Sequence, residues 1–298
     1  MTASRLGLPL SHLLLALAVT AVWGSNFVVI KLALAHLPPL TLALLRFALA
    51  FFPLALLLPR PKVPWRNLAG YGVLIGAGQF GLLFTAMRAD ITPGLASLVV
   101  QAQAFFTIGL AVWLNKERLG AHQIGALLLA SAGILVIALH SDGSATPLGL
   151  LLVLGAAASW AGGNMVVGAA GNVNMLAYVV WSSLFAIPPL LGFALVLEGW
   201  PRMSAGVASA DWKTWGAVLW QSLGNTMFGY GVWGWLLNRH PASSVAPLSL
   251  LVPVFGLTTS ALVFDEPLQT WKLTAFALVM AGLVLGVVWP RLTARIRA

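Results

Sequence analysis

Polar residues that interrupt long apolar stretches are the candidates for chemistry in this sequence. The stretch LASLVVQAQAFF, residues 95–106, is apolar at nearly every position but carries Gln101 and Gln103 in its middle. An unpaired amide in hydrocarbon costs several kcal/mol, so each such group must face protein or a wet cavity. The same reasoning applies to the other amides in apolar surroundings, which are Asn26, Gln79, Asn164, Gln221 and Asn225.

Groups that make or break bonds are missing from these apolar stretches. All seven acidic residues fall in links or at helix ends, and the five histidines are also terminal. The stretches contain no acid–base pair, no cluster of metal ligands and no nucleophile beside a base. The chain has no cysteine, which excludes thiolate metal sites and thiol catalysis. The sequence therefore predicts binding without an enzymatic activity, a cofactor or a metal.

The composition places these residues in a membrane. Hydrophobic residues make up 60% of the 298 residues and charged residues 8%, whereas a soluble domain has about 25% charged residues. The net charge of +9 comes from basic residues at the ends of apolar runs, where they follow the rules for membrane helices. We therefore exclude nucleic acid as a partner and expect the lipid bilayer instead.

Apolar runs of about 20 residues predict an all-α, polytopic membrane protein with ten transmembrane helices. The short links leave no room for a separate soluble domain. The first run is longer than the apolar part of a signal peptide, so we interpret it as the first helix. The predicted spans are 11–34, 39–58, 66–87, 93–114, 121–139, 147–168, 174–197, 212–237, 242–264 and 270–289.

The distribution of basic residues predicts the orientation, because cytoplasmic segments are rich in Lys and Arg. With a cytoplasmic N-terminus and ten spans, both termini are cytoplasmic. The cytoplasmic side then holds ten of the 16 basic residues: Arg5, Arg60, Lys62, Arg66, Lys116, Arg118, Arg239, Arg291, Arg295 and Arg297.

The sequence repeats itself, which predicts two five-helix repeats over 1–142 and 143–298. GSNFVV (24–29) matches GGNMVV (162–167), and FTIGLAVWLNKERL (106–119) matches FGLTTSALVFDEPL (255–268). In the second match Glu117 pairs with Glu266, at an offset of 149 residues. Because five is odd, the second repeat starts from the opposite side of the membrane. Such inverted repeats are typical of secondary transporters that alternate between outward-open and inward-open states.

Several motifs give the chain a family resemblance: WGSNFVVIK (23–31), PPLTLALLRF (38–47), PGLASLVVQAQAFF (93–106), NKERL (115–119), VAPLSLLVPV (245–254) and FDEPL (264–268). With them, essentially the whole chain resembles the EamA-type transporters of the drug/metabolite transporter superfamily. The resemblance implies a protein of the bacterial inner membrane that exports small amino-acid-like metabolites, with the exporters of O-acetylserine and cysteine most similar. The alternative is export of other amino acids, including aromatic ones, or of a broad range of drugs and metabolites.

The two central glutamines are expected to have different roles. Gln101 lies roughly 12 Å along its helix, near the bilayer centre, and Gln103 points about 200° away from it. We favour Gln101 for the substrate and expect Gln103 to tie this helix to a neighbour; the alternative is that both hold helices together. The flat ring of Trp160 offers a wall for a substrate, or belongs to the packing.

Two basic residues enter the predicted membrane region, Lys31 near the end of the first span and Arg46 in the second. A buried cation needs a partner, and no acidic residue lies inside a span. One interpretation is that at least one of them attracts the carboxylate of the substrate. The other is that they bind carbonyl groups at helix ends or extend to the interface.

A carrier is the class that this pattern favours. A membrane enzyme or a structural protein would not explain repeats with polar residues at mid-membrane, and a channel would show neither saturation nor counter-transport. Without a buried carboxylate, we expect transport to follow the substrate gradient. The sequence leaves the oligomeric state open.

Overall fold

The computed structural model describes residues 8–115, 120–140, 142–240 and 242–296 of the chain. Glu117, one of the two repeat-end glutamates, lies outside them. The described residues form long helices joined by short links. We label these helices in chain order: α1 Leu10–Ala33, α2 Pro39–Leu57, α3 Trp65–Ala89, α4 Pro93–Leu114, α5 Ala121–Leu139, α6 Pro147–Gly168, α7 Met175–Leu197, α8 212–239, α9 Pro247–Phe264 and α10 Thr270–Ile296.

Eight of these helices, α1 to α7 and α9, are long and apolar enough to cross a membrane. They match eight of the predicted spans, so the all-helical, multi-pass fold is confirmed. The predicted span 212–237 coincides with α8, which is absent from that apolar set, and the apolar part of α10 is the shorter segment Thr270–Gly286. The total of ten spans therefore stays a prediction.

A short helix, Trp200–Ser209, occupies the link between α7 and α8, where the sequence predicted only a connection. Gly199 adopts φ +77°, a conformation that favours glycine, and Pro201 lies in the first turn. Gly206 packs so closely against Pro38 that an added methyl group would lie 2.6 Å from the proline ring. The link is thus held against the start of α2.

The starts of the helices follow from local sequence. Pro39, Pro93 and Pro147 lie in the first turns of α2, α4 and α6, where a proline loses no hydrogen bond. Asn174 precedes α7 and its side chain accepts a hydrogen bond from Ala177 N at 3.1 Å. Such caps satisfy N–H groups that have no partner within the helix.

The middles of α3 and α8 depart from ordinary α-helix, which the sequence did not predict. Both widen into π-helical turns, over Val73–Gly81 and Trp220–Tyr230. Wide turns of this kind are frequent at functional sites. The glycines of α3 pack tightly, since a methyl group on Gly76 would lie 2.2 Å from Ala186 Cβ. Glycine at this position therefore allows α3 and α7 to approach closely.

Helix packing relates the two halves of the chain. α2 packs against α7, and α5 packs against α10. Further large contacts come in two matched pairs. The contact of α1 with α9 corresponds to that of α6 with α4, and the contact of α3 with α6 corresponds to that of α8 with α1. The two contacts of each pair are interchanged when α1 to α5 are mapped onto α6 to α10.

The contact of α5 with α10 is reciprocal at the level of single residues. A methyl group on Gly133 would lie 2.9 Å from Ala275 O, and one on Gly282 would lie 2.7 Å from Ala126 O. Gly133 and Gly282 are 149 residues apart, as are Ala126 and Ala275. Each helix therefore places its equivalent glycine against the equivalent alanine of the other helix.

Hydrogen bonds between links show that successive helices run in opposite directions. At one end, which we call the predicted outer end, Thr92 N donates to Ser144 O at 2.9 Å, joining the α3–α4 and α5–α6 links. At the opposite, predicted cytoplasmic end, Asn67 Nδ2 at the start of α3 donates to Val166 O near the end of α6 at 2.7 Å. The helices thus form an up-and-down bundle.

Candidate substrate site

A small cavity lies between α2 and α3 of the first half and α7 and α8 of the second. It encloses about 10 Å³, the space of about one water molecule. An amino acid therefore fits only after these helices move apart. The lining residues are Arg46, Phe47, Ala50, Tyr71, Gly72, Ile75, Phe80, Val179, Ser182, Ser183, Thr226 and Tyr230.

Arg46 is the charged group of this cavity. It is 2% exposed, and its guanidinium carbon lies 3.6 Å from the ring centroid of Phe80, a cation–π contact. Its Nη1 has no hydrogen-bond partner among the described residues. Arg46 therefore does not extend to the membrane surface, and it keeps a buried N–H group free for a ligand. A planar guanidinium suits a carboxylate, which it can bind through two hydrogen bonds.

Hydroxyl groups of α7 complete one wall, and sequence reasoning missed them. Ser182 is 1% exposed, and its Oγ has no partner in the described part of the chain. The neighbouring Ser183 donates to Val179 O at 2.8 Å within the helix. The sequence signal that could have found them is the pair of adjacent serines in an apolar helix, since serine hydroxyls form hydrogen bonds between membrane helices.

Three of the predicted amides lie on α1 and α8. Gln221 is fully buried, and neither its Nε2 nor its Oε1 has a partner within the described ranges. The Oδ1 atoms of Asn225 and Asn26 are likewise without a partner there, with the residues 4% and 5% exposed. Buried amides of this kind cost free energy unless something binds them.

The two central glutamines of α4 have different surroundings. Gln103 Oε1 accepts a hydrogen bond from Asn164 Nδ2 at 2.8 Å. Asn164 Nδ2 also donates to Thr107 Oγ1 at 3.2 Å. Gln103 and Asn164 thus tie α4 to α6. Gln101 is 7% exposed, does not line the cavity and lies in a tighter 3₁₀ turn, Val100–Ala102.

Lys31, Gln79 and Trp160 also lie outside the cavity lining. Lys31 Nζ donates to Met87 O at 2.8 Å and to Arg88 O at 2.9 Å, at the C-terminal end of α3. This is the helix-end arrangement that the sequence offered as one alternative. Gln79 is 5% exposed beside Phe80, and Trp160 is half-buried against the core. For these residues substrate binding stays a prediction.

A buried ion pair lies at the predicted outer end, apart from the cavity. Lys272 Nζ lies 3.2 Å from Glu266 Oε1, and Lys272 is fully buried. Thr92 Oγ1 and Ser260 Oγ each donate to this carboxylate at 2.6 Å. The sequence placed both charges in the α9–α10 link region without pairing them. The two residues meet because the chain turns between α9 and α10, and hydropathy does not predict that turn.

The apolar helices define a multi-pass membrane protein, and a small cavity with one buried cation lies between four of them. The model of the EamA-like transporter family matches residues 10–139 and 147–288. The chain therefore belongs to the EamA-like transporter family.

Named relatives agree with this membership, and one solved structure shares the fold. The chain is 44% identical over 280 residues to a probable amino-acid metabolite efflux pump of Salmonella typhimurium, covering 92% of this chain and 93% of that protein. It is 43% identical over 279 residues to a protein of the same description from Escherichia coli, with coverage of 92% and 93%. A crystal structure 18% identical in sequence superposes with a TM-score of 0.59 over 94% of this chain and 99% of the other, which shows the fold alone.

Proposed function

We propose that this protein exports small zwitterionic metabolites across the bacterial inner membrane by alternating access of its two halves. O-acetylserine and cysteine are the favoured substrates. Both termini lie in the cytoplasm in this proposal, which the distribution of basic residues supports. The relatives described as probable amino-acid metabolite efflux pumps support the substrate class.

One observation carries the proposal: Arg46 presents an unpartnered, buried N–H group to a cavity inside the bundle. An isolated buried charge destabilises the folded protein, so a buried cation inside a membrane protein indicates a functional site. The carboxylate of an amino acid neutralises the guanidinium and accepts its free hydrogen bonds.

The shape of the molecule supports alternating access. The cavity lies between α2, α3, α7 and α8, which are two pairs of helices equivalent under the repeat. The matched helix contacts and the reciprocal glycines Gly133 and Gly282 support an inverted repeat with a twofold axis in the membrane plane. The cavity is too small for an amino acid, as expected of a state closed on both sides.

A second candidate substrate class is the aromatic amino acids. Four aromatic rings line the cavity, those of Phe47, Tyr71, Phe80 and Tyr230. Aromatic rings pack favourably on one another in edge-to-face and offset arrangements. Competition by tyrosine and tryptophan against labelled cysteine separates this class from the favoured one.

The test is transport by purified protein in liposomes loaded with labelled cysteine. We expect saturable transport that is accelerated by unlabelled cysteine on the opposite side, which a channel does not show. Arg46→Gln should lower cysteine transport by about tenfold or more, since it removes a charged hydrogen bond. It should leave cysteinamide transport unchanged or raise it, because cysteinamide has no carboxylate and its ammonium group is repelled by Arg46.

Lys31→Gln is the matched control, because Lys31 binds carbonyl groups of α3 rather than the cavity. Any loss in this variant should fall equally on cysteine and cysteinamide. Equal loss of both compounds in Arg46→Gln, at matched expression, would refute the carboxylate site. If neither cysteine nor any other amino acid or derivative is transported above the background of empty liposomes, the proposed function is wrong.

A further inference from the structure

Three buried carbonyl oxygens without partners come from the amides of α1 and α8. Within the described residues Asn26 Oδ1, Gln221 Oε1 and Asn225 Oδ1 have no partner, and the Gln221 Nε2 donor has none either; all three residues are at most 5% exposed. Buried polar atoms in folded proteins nearly always have a hydrogen-bond partner. Three unpaired acceptors in one region therefore point to a donor that comes from a ligand.

The π-helical turns of α8 bring two of these amides beside the cavity. Hydrogen bonds from residue i to residue i+5 place residues four and five apart on one side of the helix. Gln221 and Asn225 thus share a side with Thr226 and Tyr230, which line the cavity. The hydrogen bond from Thr226 Oγ1 to Gln221 O, at 3.3 Å, shows these two residues stacked. In an ordinary α-helix Gln221 would turn away from Thr226.

Asn26 reaches the same place from α1, which runs antiparallel to α8. Trp23 lies against the later part of the π-helical segment, since a methyl group on Gly229 would lie 2.3 Å from Trp23 Nε1. The rings of Trp23 and Tyr230 are 5.8 Å apart. Asn26 follows Trp23 by nearly one turn on the same face. It therefore lies beside the preceding turn of α8, which holds Asn225.

We propose that Asn26, Gln221 and Asn225 form a subsite for the ammonium group of the substrate, next to the carboxylate site at Arg46. This inference rests on the proposed function. An ammonium group carries three N–H donors and no acceptor, which matches a set of amide oxygens. The three amides are not in the cavity lining themselves but adjoin its α8 residues, Thr226 and Tyr230, and no described acidic side chain lines the cavity.

The two subsites together select zwitterions. A cation without a carboxylate is repelled by Arg46, and an acid without an amine leaves the amide oxygens unpaired. The selection of zwitterions should be strong, because a site that forms hydrogen bonds with an amine and a carboxylate binds analogues lacking either group poorly. Because amides do not ionise, the amine is bound without exchange of a proton with the protein.

The test is competition against labelled cysteine in liposomes, by unlabelled cysteine and by 3-mercaptopropanoate, which lacks the amine. In Gln221→Met and Asn225→Leu the inhibition constant of cysteine should rise by about tenfold or more, since a charged hydrogen bond is lost. That of 3-mercaptopropanoate should change by less than about twofold, because it makes no such bond. Equal changes for both compounds would overturn the subsite.

Asn225→Asp tests the same inference without removing a polar group. The added carboxylate should improve competition by cysteinamide and weaken that by 3-mercaptopropanoate, because it attracts the amine and repels the acid. An unchanged ratio of the two inhibition constants would overturn the subsite. Gln103→Met is the control, since its amide ties α4 to α6, and there the ratio should stay at the wild-type value.

The subsite and the proposed function fail in different ways. If the wild-type protein transports cysteine saturably but the variants keep the wild-type ratios, the subsite alone is wrong. If the wild-type protein transports no amino acid or derivative, the proposed function is wrong, and the subsite falls with it.

Discussion

At the scale of single residues, Asp211 sets where α8 begins and ties that start to its surroundings. Its carboxylate accepts hydrogen bonds from Thr214 N at 2.8 Å and Thr214 Oγ1 at 2.7 Å. The same hydroxyl lies 2.8 Å from His36 Nδ1, in the α1–α2 link. The hydrogen bonds from the Thr214 backbone and hydroxyl lower the pKa of Asp211, because they stabilise its charged form.

This lowered pKa predicts a pH-dependent stability. A group with a lower pKa in the folded state stabilises the protein above its unfolded pKa, about 4 for aspartate. That contribution is lost as the pH falls through the folded value. The unfolding temperature in detergent should therefore be higher for wild type than for Asp211→Ala at pH 6, with a smaller difference at pH 3.

Asp211→Asn is the control, because asparagine keeps an acceptor at the cap but does not ionise. Its difference from Asp211→Ala should stay nearly constant between pH 6 and pH 3. A wild-type curve parallel to that of Asp211→Asn over this range would contradict the role of ionisation.

Sequence reasoning located the buried polar residues but not their partners. Arg46 and Lys31 look alike in the sequence, as single cations in apolar runs. The structure separates them: Lys31 binds carbonyl groups 56 and 57 residues away, whereas Arg46 faces the cavity. Such partners are set by helix packing over long sequence distances, which neither composition nor periodicity records. The separation of Gln101 and Gln103 was predictable because it depends only on local helix geometry.

At the scale of helices, the spans were predictable because they depend on local hydropathy and on first-turn prolines. Their internal geometry was not. The π-helical segments of α3 and α8 lie inside continuous predicted spans, and hydropathy along a span does not distinguish a π-helical turn from an α-helical one. They matter because they decide which side chains of α8 face the cavity.

The α5–α10 contact makes a prediction for helix packing. Gly133→Ala and Gly282→Ala should each destabilise the folded protein by about 1–3 kcal/mol, because the added methyl group meets backbone atoms that cannot move aside. The effects should be similar, since each glycine meets the equivalent position of the other helix. Unfolding in mixed micelles, followed by circular dichroism, measures both.

Gly192→Ala in α7 is the matched control, since a methyl group there would meet nothing within 4 Å. Its stability should equal or exceed that of wild type, because alanine favours helix over glycine. Destabilisation of all three variants by the same amount would assign the effect to helix conformation instead of to the contact between helices.

At the scale of the whole molecule, polar contacts join the two halves at the predicted outer end. Glu198, at the end of α7, accepts hydrogen bonds from Leu40 N at 2.6 Å and Thr41 N at 3.0 Å, in the first turn of α2. Glu266 accepts one from Thr92, again across the halves. Under the proposed alternating access, opening at this end would require these bonds to break.

The positions of the acidic residues predict the driving force for transport. The described acidic residues lie in links or at helix ends, and none lines the cavity. Export should therefore follow the substrate gradient, and an imposed pH gradient should change the rate of cysteine efflux by less than about twofold, since no described carboxylate lies at the cavity to relay protons. Efflux from liposomes with pH jumps of either sign measures this.

The control is the same pH jump in liposomes made leaky to protons by an ionophore. Efflux with and without the ionophore should agree. A strong, reversible dependence that the ionophore abolishes would show proton coupling, and would direct attention to the Glu266–Lys272 pair.

The reciprocal glycines of α5 and α10 have a mechanical consequence. Under the proposed inverted repeat, one state becomes the other when the two halves exchange shapes, so every contact is replaced by its twofold partner. A contact that is its own partner has nothing to be exchanged with, and the α5–α10 contact is one, because Gly133 against Ala275 maps onto Gly282 against Ala126. The α5–α10 seam would then keep the same residues in contact in both states.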